Sequence, residues 1–135
     1  MLHLDQKVLD GIVAHARREL PFEACGYLAE KAGVVRTFLA MTNTDKAGDH
    51  FSMDPAEQFA AAKAMRAGGE KPRAVYHSHP ETPARPSVED IRLAFDPGVS
   101  YVIISLADPG HVEVKSYRIV KGEVFPEAIT VVAGL

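Results

Sequence analysis

Two histidines one residue apart, His77 and His79, are followed after seven residues by Ser87 and three further on by Asp90. Two imidazoles and a carboxylate are nitrogen and oxygen ligands of the kind that a catalytic zinc takes from a protein, with water in its fourth position. Residues 76–93, YHSHPETPARPSVEDIRL, therefore read as a metal-binding stretch that the rest of the chain must build and aim.

Three local elements have to position those ligands. Residues 73–79 read as a strand, whose alternation puts His77 and His79 on one face and Ser78 on the other. Same-face residues lie roughly 6 to 7 Å apart along a strand, close enough for two rings to converge on one ion. Pro80, Pro83 and Pro86 then stiffen a loop, so that the third ligand is held nearly in place before metal arrives. Ser87-Val88-Glu89-Asp90 is also a capping signature for a helix continuing through Ile91, Leu93 and Ala94. The capping and ligand readings coexist, because an acidic side chain in the first turn points near the helix start. Glu81 is the rival third ligand if the strand runs on past His79, and Pro80 argues that it does not. Glu89 is displaced from Asp90 by about 100° round a helix and should face elsewhere.

Upstream, Leu4, Val8, Ile12, Ala16 and Leu20 recur with the period of an amphipathic helix, with Asp5 as its N-cap and Pro21 as its stop. Residues 22–28 form a short apolar segment that begins with the carboxylate of Glu23 and passes into a strand ending near Lys31. Ala32-Gly33 reads as a hairpin turn into a second strand over residues 34–39. Residues 41–50 are polar and aperiodic, a loop, and residues 51–53 a short strand. Asp54-Pro55-Ala56-Glu57 predicts a helix start with a capping box, Phe59, Ala60, Lys63, Ala64 and Ala67 continue the turn spacing, and Gly68-Gly69 ends the helix. Downstream of the metal stretch, the apolar run of residues 99–106 reads as a central strand and residues 111–120 as a more exposed one. A tight turn at Lys121-Gly122 precedes a closing strand or short helix over residues 123–132. The expectation is one α+β domain over residues 1–135, a mixed or antiparallel sheet flanked by helices.

Composition excludes several classes of partner. At 135 residues with a formal charge of −3 and both signs interspersed, the chain has no basic stripe of the kind that holds nucleic acid. Cys25 is the one cysteine, so no intrachain disulfide forms. The N-terminal residues lack the pattern of a signal peptide, and no apolar run has the length of a membrane span, so no membrane partner and a cytoplasmic setting are expected. A homodimer stays open. Cys25 between Ala24 and Gly26 invites a cysteine-nucleophile reading, but an apolar strand makes it a packed core residue. His3, His15, His50 and His111 are scattered without sequence partners and read as surface or core histidines.

His77-Ser78-His79-Pro80 with Ser87 and Asp90 at this spacing, together with Pro21-x-Glu23-x-Cys25-Gly26, resembles the JAMM or MPN-plus metalloprotease family. The likeness covers most of the chain, including the leading helix, the loop with Asn43 and the Asp54-Pro55 helix. It implies an MPN/JAMM-like, cytidine-deaminase-like mixed sheet flanked by helices. It implies zinc on His77, His79 and Asp90, with water in the fourth position. Glu23 would be the base that takes the water's proton and returns it to the leaving amine, and Ser87 the hydroxyl that steadies the oxyanion. The short chain is similar to compact stand-alone prokaryotic members. Their expected substrate is an amide after the Gly-Gly tail of a ubiquitin-like or sulfur-carrier protein, such as a sulfur carrier–cysteine adduct. The alternatives from the same resemblance are a non-catalytic MPN-type binding scaffold and a RadC-like protein. The segment around Glu23 favours the peptidase.

Overall fold

Asp5 ends one element and starts the next. The computed structural model describes residues 1–133 and places Leu2–Asp5 in a short strand (β1) ahead of a helix, Gln6–Arg18 (α1). The Asp5 side chain accepts the Lys7 amide at 2.9 Å, the N-cap that the sequence predicts. Val8, Ile12 and Ala16 are buried as their spacing requires, but Leu4 belongs to β1 and Leu20 lies beyond the helix, exposed. The strand escapes a local reading because it is made by pairing: β1 lies parallel between strands from elsewhere in the chain.

Cys25–Lys31 (β2) and Val34–Met41 (β3) form the expected hairpin. Its turn has positive φ at both Ala32 (55°) and Gly33 (82°), the twist that two-residue hairpins favour. Pro55–Ala67 (α2) follows, and it buries Ala61 and Met65, whereas Phe59 and Ala60 of the expected stripe face outward. No capping box forms here. Asp54 makes no side-chain cap bond, and Glu57 accepts the Thr42 amide and hydroxyl, each at 2.8 Å. Residues 51–53 are not a strand either; the side chains of Asn43 and Thr44 in the preceding loop take up the backbone groups of Ser52.

Lys71–His79 (β4), Val88–Arg92 (α3), Ser100–Ser105 (β5), Glu113–Val120 (β6), Glu123–Glu127 (β7) and Ile129–Val132 (β8) complete the described elements. The strand order is β7-β6-β5-β4-β2-β3-β1-β8, with β4 antiparallel to β2 and parallel to β5. This is the mixed α+β sheet expected. The closing segment is neither one strand nor a helix. It divides at Ala128, so the two outermost strands are joined by a single residue and the sheet curls until its ends meet. Leu2 N donates to Ala128 O at 2.8 Å at that junction.

The pleat of β2 separates two cores. Tyr76 and Ala74 face α1 with Leu4, Ile12, Leu28 and Ile104, while Cys25 and Ala29 of β2 face α2. Gly26 is obligatory at the crossing. A Cβ there would stand 2.4 Å from both the Leu39 carbonyl oxygen and the Tyr76 ring. A third cluster, Ala84, Ile103, Tyr117 and Ile119, lies under the α3 segment. Among the described residues no helix is long and apolar enough to cross a membrane.

Candidate metal centre and active site

The end of β4 carries His77 and His79 on one face, as the alternation predicts, and both are buried. Their Nε2 atoms are 3.1 Å apart, and each lies 3.1 Å from Asp90 Oδ2. Asp90 reaches them from the first turn of α3, where a capping box holds it: Asp90 N donates to Ser87 Oγ at 3.0 Å and Ser87 N donates to Asp90 Oδ2 at 2.9 Å. The cap forms, and the same carboxylate oxygen faces the two imidazoles, so one geometry leaves room for both readings. Glu81 is exposed and no part of the cluster.

The donor set fits a metal ion. His79 Nδ1 lies 2.8 Å from the Pro83 carbonyl, which only accepts, so Nδ1 carries a hydrogen; without a metal Nε2–H can donate to Asp90, and in the neutral ring Nε2 keeps the lone pair that an ion would use. A tetrahedral ion with nitrogen and oxygen ligands at about 2.0–2.1 Å needs them roughly 3.3 Å apart, a small expansion of the triangle present. Burial alone would raise the Asp90 carboxyl, yet hydrogen bonds with His77 and His79 hold it well below the usual carboxylate range. Burial likewise opposes charge on His79, but Asp90 and the Pro83 carbonyl raise its pKa above the ordinary value.

The loop from β4 to α3 is fixed by more than its prolines. Ser105 Oγ donates to Thr82 O at 2.7 Å and Tyr117 OH to Ala84 O at 2.6 Å. These anchors come from β5 and β6, more than twenty residues away in sequence, so nothing near the motif signals them.

Glu23 precedes β2 and is buried, with no hydrogen-bond partner on Oε1. Burial pushes its carboxyl up to about 8; His79 opposes this, while Asp90, Asp49 and Glu89 add to it. Its backbone is anchored on both sides. Glu23 N donates to Ala47 O at 2.7 Å and Glu23 O accepts from Asn43 Nδ2 at 3.1 Å. Ala24 N donates to Ser78 Oγ at 2.8 Å, and Ser78 N to Ala24 O at 3.0 Å. Ser78, which alternation turns away from the metal side, thus ties the Glu23 segment to the strand between the two histidines.

Beside the cluster runs a cleft of about 520 Å³, walled by Tyr27, Phe51, Met53, Leu93, Phe95 and Tyr101 and reaching His77 and Asp90. The Phe51 ring lies against His77, with centroids 5.0 Å apart. Glu89 is no part of the ligand cluster, as its place on the helix predicts, though it borders this cleft. Cys25, in register with His77, is fully buried, and burial pushes its thiol up to about 12, as suits a core residue and not a nucleophile. His15 is a core histidine whose Nδ1 meets the Tyr76 hydroxyl at 2.8 Å, and the exposed His50 pairs with Asp49 at 2.7 Å. His50 and Phe51 border the cleft from an aperiodic loop, and the sequence carries no local sign of either placement.

The family described as prokaryotic homologs of the JAB domain matches residues 5–120. The CysO-cysteine peptidase of Mycobacterium tuberculosis is 42% identical over 127 residues, which is 93% of this chain and 87% of the relative. Among solved structures, protein DSY2949 from Desulfitobacterium hafniense superposes with a TM-score of 0.91 at 46% identity, covering 100% of this chain and 95% of the other. AF2198, a JAB1/MPN domain protein from Archaeoglobus fulgidus, superposes at 0.67 and 23% identity over 97% of both chains, a likeness of fold.

Proposed function

Because this chain belongs to the family of prokaryotic JAB-domain homologs, we propose that it is a zinc-dependent peptidase or isopeptidase with a peptide-conjugate substrate. That substrate is a sulfur-carrier or ubiquitin-like protein, cleaved after its C-terminal Gly-Gly tail. A sulfur carrier–cysteine adduct is the first candidate, in keeping with the name of the M. tuberculosis relative. A cytoplasmic setting accords with a chain whose one cysteine is a buried thiol.

The observation that carries the proposal is the buried, unpartnered Oε1 of Glu23, a carboxyl whose charge couples to His79 and Asp90 of the three converging ligands. A buried carboxylate oxygen without a donor is costly, and such a group is retained where a reacting water supplies the missing hydrogen. His77, His79 and Asp90 would hold the zinc, which supplies Lewis acidity and makes water acidic enough to ionise near pH 7. Glu23 accepts the proton of the attacking water and afterwards delivers it to the departing amine, so one carboxyl serves as base and then acid. Burial raises this carboxyl to about 8 in the metal-free chain, and a dication on His77, His79 and Asp90 would lower it towards the range of a base near neutral pH. Ser87 uses a lone pair to cap Asp90 N, which leaves its hydroxyl hydrogen free to donate to the oxygen of the cleaving amide. The apolar cleft beside the cluster gives the substrate chain its seat. The amide formed with a lysine side chain offers the same bond as one formed with free cysteine, so the chemistry covers both.

The test offers a Gly-Gly-tailed sulfur carrier bearing a C-terminal cysteine to the zinc-loaded chain and weighs the product by mass spectrometry. Release of cysteine, leaving a carrier that ends in Gly-Gly and abolished by a chelator, is the expected result. An intact adduct in the presence of zinc, with lysine isopeptides also intact, would contradict the proposal.

A further inference from the structure

One amide, that of Asn43, joins the segment bearing Glu23 to the wall of the cleft. Its Nδ2 faces three carbonyls, Glu23 O and His50 O at 3.1 Å and Ala47 O at 3.3 Å. Its Oδ1 accepts from Asp45 N at 3.1 Å and Ser52 N at 3.4 Å. The residue is buried, so its hydrogen-bonding capacity is spent on protein and not on water.

We propose that Asn43 is a positioning residue that sets both the Glu23 carboxylate and the Phe51 wall of the cleft. The inference rests on the reading of Glu23 as the base. Glu23 lies outside any strand or helix and its Oε1 has no partner, so the backbone must hold the carboxylate in place. Ser78 fixes the following residue from β4. On the other side Glu23 N bonds Ala47 O and Glu23 O accepts from Asn43, which also reaches Ala47 O; both anchors of Glu23 thus converge on one side chain. The same side chain binds His50 O and Ser52 N, the groups that flank Phe51, whose ring lies against the ligand His77. Removing the amide would leave the buried Glu23 carbonyl without a donor and release the His50 carbonyl and the Ser52 amide, freeing two sides of the site together. Displacing a reacting group by about 1 Å costs on the order of 10²-fold in rate.

Three variants of the zinc-loaded full chain separate positioning from mere stability. Asn43→Ala removes every bond, and Asn43→Asp keeps an acceptor for Asp45 N and Ser52 N but offers no donor to Glu23 O. Thr44→Ala is the control, because it loosens the same loop by one bond to Ser52 O without touching Glu23. Asn43→Ala should lose on the order of 10²-fold in kcat and raise KM. Asn43→Asp, which keeps the Ser52 N bond and loses the donor to His50 O, should lose kcat with a smaller rise in KM than Asn43→Ala, and Thr44→Ala should leave kcat near wild type. Zinc content should hold throughout. Backbone amide exchange of Glu23, followed by NMR, should quicken in both Asn43 variants and not in Thr44→Ala. Unchanged Glu23 exchange in Asn43→Asp, or wild-type kcat in that variant, would overturn the proposal, and if Asn43→Ala does not fold the Asp variant decides. Should the wild type cleave no adduct, the substrate reading fails while the exchange measurement still decides the role of Asn43.

Discussion

Ser87 and Asp90 hold each other: the hydroxyl of the first caps the amide of the second at 3.0 Å, and the carboxylate of the second takes the amide of the first at 2.9 Å. The carboxylate oxygen used is the one that faces His77 and His79. Helix capping and the approach of Asp90 to the two imidazoles are therefore one arrangement. Ser87→Ala should lower thermal stability by about 1 kcal/mol through the lost cap. If its hydroxyl also donates to the oxyanion, as proposed, kcat should fall as well, by about 10²–10³. Ser87→Thr should restore the stability, measured by thermal unfolding. Full activity in Ser87→Ala would leave Ser87 as a cap alone.

The metal set is tested by content, independent of substrate. The wild-type chain should hold one zinc, and His77→Ala and Asp90→Ala should each lose it, as read by elemental analysis after dialysis. Full occupancy in Asp90→Ala would remove that residue from the ligand set.

His15 makes stability depend on pH away from the metal. Burial lowers its pKa below 6.5 more than Glu19 raises it, with Arg18 adding to the lowering. Between the folded pKa and 6.5 the unfolded chain binds a proton that the native chain does not. The contribution of this residue is thus complete above about 6.5 and is lost as pH falls. Melting temperature should therefore drop between pH 7.5 and 5.5 by more in the wild type than in His15→Gln, which keeps a partner for the Tyr76 hydroxyl. Parallel curves would contradict the assignment.

The convergence of His77, His79 and Asp90 was legible because its pieces are local. Alternation along β4 put His77 and His79 together, the Ser87 cap placed Asp90, and Ala32-Gly33 made the hairpin that the sequence predicts. What stayed hidden was made by partners distant in sequence. β1 is a strand because β3 and β8 flank it, Glu57 abandons its capping box for Thr42, and Asn43 gathers five backbone groups that no periodicity marks. Glu23 lies between these cases. The resemblance singled it out, whereas its own sequence setting is that of an ordinary loop carboxylate, and only burial distinguishes it.

Glu23→Gln tests the central claim most directly, because glutamine keeps the shape of the side chain and cannot take a proton. Zinc content and cleavage of the Gly-Gly adduct are measured on the same preparation. The account predicts one zinc per chain, an unchanged fold, and turnover lower by about 10²–10⁴. Turnover at the wild-type rate with zinc bound would contradict it.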